Sequence, residues 1–98
     1  AIAATSNGGQ TWNLYTAPGG SSDVSLAVSS DGILNYAWEG LGGIYFARTK
    51  KSHDPSSWGQ AVLALAMAAQ HPNVAVDSAG KAYIMADHDG VAAFTKEK

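Results

Sequence analysis

The chain has 98 residues, 46% of them hydrophobic and 14% charged, a composition that folds and does not stay disordered. At this length a chain buries roughly 60–65% of the surface its unfolded form exposes, so a core alone leaves a thin margin and support from packing or partners is expected. With no cysteine and only six basic against eight acidic residues (net charge −2), the chain excludes disulfides, thiolate nucleophiles and zinc ribbons, and it is too poor in cations to coat a phosphate backbone.

Taken in chain order, the first candidate element is Thr11 to Tyr15, a short strand opening with a tryptophan. Val24 to Val28, Ile33 to Trp38 and Ile44 to Ala47 follow, each rich in β-branched or aromatic residues, as are Val74 to Val76, Ala82 to Ala86 and Val91 to Phe94. The segments between them, Ser29 to Gly32, Gly40 to Gly43, Asp77 to Gly80 and Asp87 to Gly90, each carry a glycine able to take the positive φ of a tight hairpin. Ala61 to Ala69 is ambiguous, because alanine, leucine and methionine favour helix. Its first half is read as strand, since the segment is too short to hold a helix alone. Short strands with tight turns predict an antiparallel all-β fold; a two-sheet sandwich, or a mixed α/β domain with a helix at Ala61 to Ala69, are the alternatives. No apolar run reaches the roughly 18 residues of a membrane span, and the opening residues lack the basic start of a signal peptide, so neither a membrane nor a compartment is indicated.

The chain repeats itself. Val28-Ser-Ser-Asp-Gly32 aligns with Val76-Asp-Ser-Ala-Gly80 at an offset of 48, and GIYFAR from Gly43 aligns with GVAAFT from Gly90 at 47. A strand opening with tryptophan occurs at Trp12 and again at Trp58, an offset of 46. A period of 46 to 48 with four strands per unit is the pattern of a β-propeller blade.

The residues Thr5-Ser-Asn7-Gly-Gly9-Gln-Thr11-Trp12 resemble the Asp-box, or BNR repeat, whose pattern is Ser-x-Asp-x-Gly-x-Thr-Trp and which occurs in sialidases and sortilin-type receptors. Gly9, Thr11 and Trp12 match; Thr5 and Asn7 replace the usual serine and aspartate. Ser52, Asp54 and Trp58 form a second, degraded copy that is one residue short and lacks the glycine. The resemblance implies four-stranded antiparallel blades, about two of them and open at both ends. Residues 1–20 would close one blade, 21–70 would make a complete blade, and 71–98 would begin the next. Two blades cannot close a ring, so the resemblance implies a homo-oligomer or part of a larger propeller.

A sialidase would need three arginines on the substrate carboxylate, a tyrosine nucleophile paired with glutamate, and a general acid. The chain has Arg48 as its one arginine, so no catalytic residue is assigned. Asp87-His88-Asp89-Gly90 reads first as a hairpin turn, and His53 and His71 as loop and strand-entry residues, so neither a metal nor a cofactor is expected. No Gly-x-Ser-x-Gly elbow supports a nucleophile. Tyr36 and Trp38 share one strand face, read as packing. Trp38 beside Glu39 at a strand end, and Asp87 at the end of another second strand, are the candidate ligand contacts. The expectation is a non-catalytic module binding a glycan or protein partner, with no nucleic acid. The alternative is a fragment of a sialidase-like glycoside hydrolase whose catalytic residues lie elsewhere.

Overall fold

The computed structural model describes residues 2–19, 23–88 and 91–96, without the side chains of 91–94. Among the described residues it holds no helix and nine strands: β1 (Ile2–Ala4), β2 (Asn13–Tyr15), β3 (Val24–Val28), β4 (Leu34–Gly40), β5 (Gly43–Arg48), β6 (Val62–Leu65), β7 (Gln70–Val76), β8 (Ala82–His88) and β9 (Val91–Lys96). They pair antiparallel, each with its neighbour in sequence, into sheets of two (β1–β2), four (β3–β6) and three (β7–β9) strands.

The alanine-rich stretch resolves as strand. Val62 and Leu63 pair with Phe46 and Tyr45, and Leu65 with Ile44. Alanine's helix preference is worth only a few tenths of a kcal/mol per residue, whereas the edge of β5 offers a ladder bond for the backbone. The strand opens later than expected. Trp58 makes only an isolated bridge to Thr49, and the ladder resumes at Phe46 and Val62, so Gly59 to Ala61 oppose Ala47 and Arg48 with one residue in excess. That excess is a bulge.

The repeat is visible bond by bond. Gly32 N–H donates to Ser29 O at 2.9 Å and Ser29 N–H to Ile33 O at 3.0 Å; one repeat on, Gly80 N–H donates to Asp77 O at 2.9 Å and Asp77 N–H to Lys81 O at 3.0 Å. Both glycines sit at positive φ, 85° and 81°, as a three-residue hairpin loop with a glycine bulge demands. Strand register repeats too: Leu26↔Tyr36 corresponds to Val74↔Ile84, and Asn35↔Arg48 to Tyr83↔Lys96, all at an offset of 48. The third strands therefore align at 48 and not at 47, since Gly40↔Gly43 corresponds to His88↔Val91.

Strand β4 divides the core. Tyr36 and Trp38 point to one face, where Ala47, Tyr45, Trp58, Ile2 and Ala17 pack around them. Ala37 points to the other, where Ile44 and Leu65 meet Val74, Ala82, Ile84 and Ala86 of the three-stranded sheet. Val74 N–H donates to Ser25 Oγ at 3.1 Å across that junction. Ile44 is fully buried while Leu41, three residues away, is 95% exposed. Ile44→Ala is expected to lower the free energy of unfolding by about 2–5 kcal/mol, and Leu41→Ala to change it by less than about 0.5 kcal/mol. Urea denaturation checks both; equal effects would contradict this division of the core.

Candidate functional site

The eight-residue turn from Thr5 to Trp12 is held by its own side chains. Asn7 Oδ1 accepts from Thr11 N–H at 3.0 Å and from Thr5 Oγ1 at 2.8 Å, while Asn7 Nδ2 donates to Thr11 Oγ1 at 2.7 Å. Gly9 N–H donates to Thr5 Oγ1 at 3.1 Å, and the Trp12 indole N–H donates to Gly9 O at 3.1 Å. Gly8 and Gly9 take positive φ, 74° and 93°. Asn7 is thus the central acceptor of the turn, and every one of the five residues singled out in this segment takes part in it.

The second turn is built differently. Asp54 Oδ1 accepts from Ser56 N–H at 3.0 Å and from Ser56 Oγ at 2.6 Å, and Ser52 Oγ donates to Asp31 O. The turn's positive φ is at His53, 57°, one residue before Asp54, whereas Gly8 and Gly9 follow Asn7. With no glycine carbonyl placed for it, the Trp58 indole nitrogen is buried with no hydrogen-bond partner, although its ring packs 5.7 Å from that of Tyr36.

Trp38 belongs to this packing. It is 7% exposed, stacks on Tyr45 at 5.8 Å and lies against Gly19, where a Cβ would come within 2.6 Å of the indole. Tyr36 O–H donates to Gly19 O at 2.9 Å. Glu39, one residue along, turns to the opposite face by strand alternation. The pairing of Trp38 with Glu39 as joint ligand contacts is thus not what the fold brings together; it joins Glu39 to Asp87 instead. Both line a cleft of about 420 Å³ with Gly40 to Gly43, Ala68, Ala69 and Gln70. Glu39 and Asp87 lie one repeat apart and hold the same position in their sheets, Glu39↔Ile44 matching Asp87↔Ala92. Glu39 Oε1 is shut off from solvent without a hydrogen-bond partner, whereas Asp87 is exposed. Sequence reasoning singles out the two carboxylates separately, and carrying one strict repeat register through to the second strands would have linked them.

Arg48 is a structural link. Its Nε and Nη2 donate to Asn35 Oδ1 at 3.2 and 3.0 Å, and Nη2 also donates to Gly80 O of the three-stranded sheet at 3.2 Å. Asp89 and Gly90 lie outside the described residues; among those described, no three His, Asp or Glu side chains come together as a metal site. No family model and no curated protein matches the chain.

Three turn aspartates are held below the ordinary carboxylate value of 3.8: Asp31 by the Ser29 hydroxyl and the Ile33 amide, Asp54 by the Ser56 hydroxyl and amide, and Asp77 chiefly by the Lys81 amide, with the Tyr83 hydroxyl and Ala79 amide. The same bond raises the Tyr83 phenol. Because the folded values are depressed, the unfolded chain binds more protons below 3.8, and the stabilisation present above that value is lost as pH falls through the folded ones. The urea midpoint is expected to carry the full stabilisation from these groups, and so no pH dependence from them, between pH 7 and about 5, and to fall below about pH 4. Asp77→Asn, whose amide oxygen still accepts but does not titrate, makes the acid limb shallower; an unchanged limb would contradict the assignment.

Proposed function

We propose that the chain is a non-catalytic Asp-box β-propeller module, contributing two, four and three strands of consecutive blades, that binds a neutral or amino-bearing glycan at the cleft of Glu39 and Asp87. The observation that carries this reading is that Glu39 and Asp87, at one and the same repeat position in consecutive sheets, border a single cleft. Two carboxylates accept hydrogen bonds from sugar hydroxyls or an ammonium, and they repel an anionic sugar. The self-bonded turn from Thr5 to Trp12 and the repeated register support the blade architecture. Val24, Leu26 and Val28 on one face of β3 are 46%, 43% and 56% exposed, on the side where only the two strands of the β1–β2 sheet stand. An exposed apolar row of this kind is covered in the assembled protein, by strands of a neighbouring copy or of further chain.

A glycan array spanning neutral, amino and sialylated sugars tests the proposal. Neutral or amino-bearing glycans are expected to bind, sialosides are not, and Asp87→Asn and Glu39→Gln each weaken binding by about tenfold or more. A folded chain that binds no glycan, binds only a partner protein's basic segment, or hydrolyses a fluorogenic sialoside would overturn it.

A further inference from the structure

The three-stranded sheet packs on the four-stranded one, and the repeat fixes which residues would form the next contact of that kind. In the contact present, Val74 and Val76 of β7 pack with Ala27 of β3 and Ala37 of β4, and Val74 N–H donates to Ser25 Oγ at 3.1 Å. One repeat earlier, Leu26 and Val28 hold the positions of Val74 and Val76, since Leu26↔Tyr36 matches Val74↔Ile84. One repeat later, Asn73, Ala75 and Met85 hold the positions of Ser25, Ala27 and Ala37, since Ser25↔Ala37 matches Asn73↔Met85.

Both sets of equivalent residues are uncovered. Along β8, Ala82, Ile84 and Ala86 are buried against the four-stranded sheet, while Met85 between them is 51% exposed, with Asn73 and Ala75 exposed beside it. On the far face of the four-stranded sheet, Ile2 and Ala17 cover Tyr36 and Trp38 but leave Val24, Leu26 and Val28 of β3 open. The two surfaces match as the buried pair does, an aliphatic row against small or adaptable side chains, with Asn73 placed like Ser25 to accept from a backbone amide. The polar edge repeats as well. Asp23 and His71 stand one repeat apart, and His71 Nε2 lies 3.8 Å from Asp23 Oδ2 while its side chain stays 66% exposed, open to the Asp23 of a second copy.

We infer that the chain docks head to tail on a second copy of itself, the face of Asn73, Ala75 and Met85 in one copy receiving the row of Val24, Leu26 and Val28 of the next. These are the outer faces of two sheets already packed on each other, so they point away from one another and one chain cannot close the contact on itself. Burial of the aliphatic row drives the docking. A contact between two different faces is heterologous and leaves a free face at each end, so copies add into a ring or a row. The inference rests on the repeated blades of the proposed function and not on its glycan.

Sedimentation velocity of the full chain over a concentration series tests the inference. The unaltered chain is expected to exceed the mass of a monomer, increasingly so with concentration. Leu26→Arg and Met85→Arg, at positions 43% and 51% exposed and so compatible with folding, are each expected to be monomeric. An equimolar mixture of the two is expected to form a dimer and nothing larger, because each variant keeps the face that the other lacks. Val62→Arg, at an exposed apolar position on β6 outside both faces, is expected to associate like the unaltered chain. Circular dichroism establishes that each variant is folded. An unaltered chain that stays monomeric, its faces left to further chain or to another protein, would overturn the inference. So would a Met85→Arg variant that still self-associates, two variants that stay apart when mixed, or loss of association in Val62→Arg. A chain that associates but binds no glycan contradicts the glycan reading alone, and a monomer that binds glycan contradicts this inference alone.

Discussion

Strand β4 is buried on both faces, and the rest of the structure follows from that. Asn35, Tyr36, Ala37 and Trp38 are each at most 7% exposed. Alternation sends Tyr36 and Trp38 into the aromatic layer beside the N-terminal hairpin and Ala37 into the layer shared with β7 and β8. The strand's one polar buried side chain, Asn35, has its needs met locally: Arg48 donates to its oxygen and its own amide donates to Ile33 O at 3.1 Å. Without Arg48 the Asn35 oxygen would lose both of these donors in the interior, at a cost of about 1–3 kcal/mol. Arg48 also reaches Gly80, so one side chain satisfies the core of one sheet and ties it to the next.

One register repeats from sheet to sheet. Equivalent second-strand ends carry Glu39 and Asp87, and equivalent third-strand ends carry Arg48 and Lys96. An antiparallel hairpin sends its second and third strands in opposite directions, so the two pairs lie at opposite ends of their sheets. One end holds a cleft of about 420 Å³ bordered by Glu39 and Asp87, the other an apolar cavity of about 600 Å³. The proposed glycan site lies at the first of these ends. The proposed glycan site does not use the tryptophans, which are committed to turns and packing.

Most strands are legible in the sequence because β-branched and aromatic runs alternate with glycine turns; β3 coincides with the expected Val24 to Val28. The turn at Thr5 is legible for the same local reason, since all its bonds span four residues or fewer. What local pattern does not carry is which face of a strand is covered. Trp38 beside Glu39 looks like a sugar platform until the N-terminal segment is placed over it, with Gly19 against the indole. The start of β6 differs from the expected one because a bulge at Gly59 to Ala61 leaves no compositional mark beyond one glycine. The tie between the two sheets depends on the long-range contact of Arg48 with Gly80, which no short motif encodes.

The central claim is that doubly buried β4 is the last element to open. Native-state hydrogen exchange reads it directly, residue by residue. The Tyr36, Ala37 and Trp38 amides are predicted to exchange slowest in the chain, with a free energy equal to that of global unfolding, while Ala3 and Leu14 in the two-stranded sheet exchange through local opening. If the β4 amides exchange as fast as those of Ala3 and Leu14, β4 is not the element on which the fold depends.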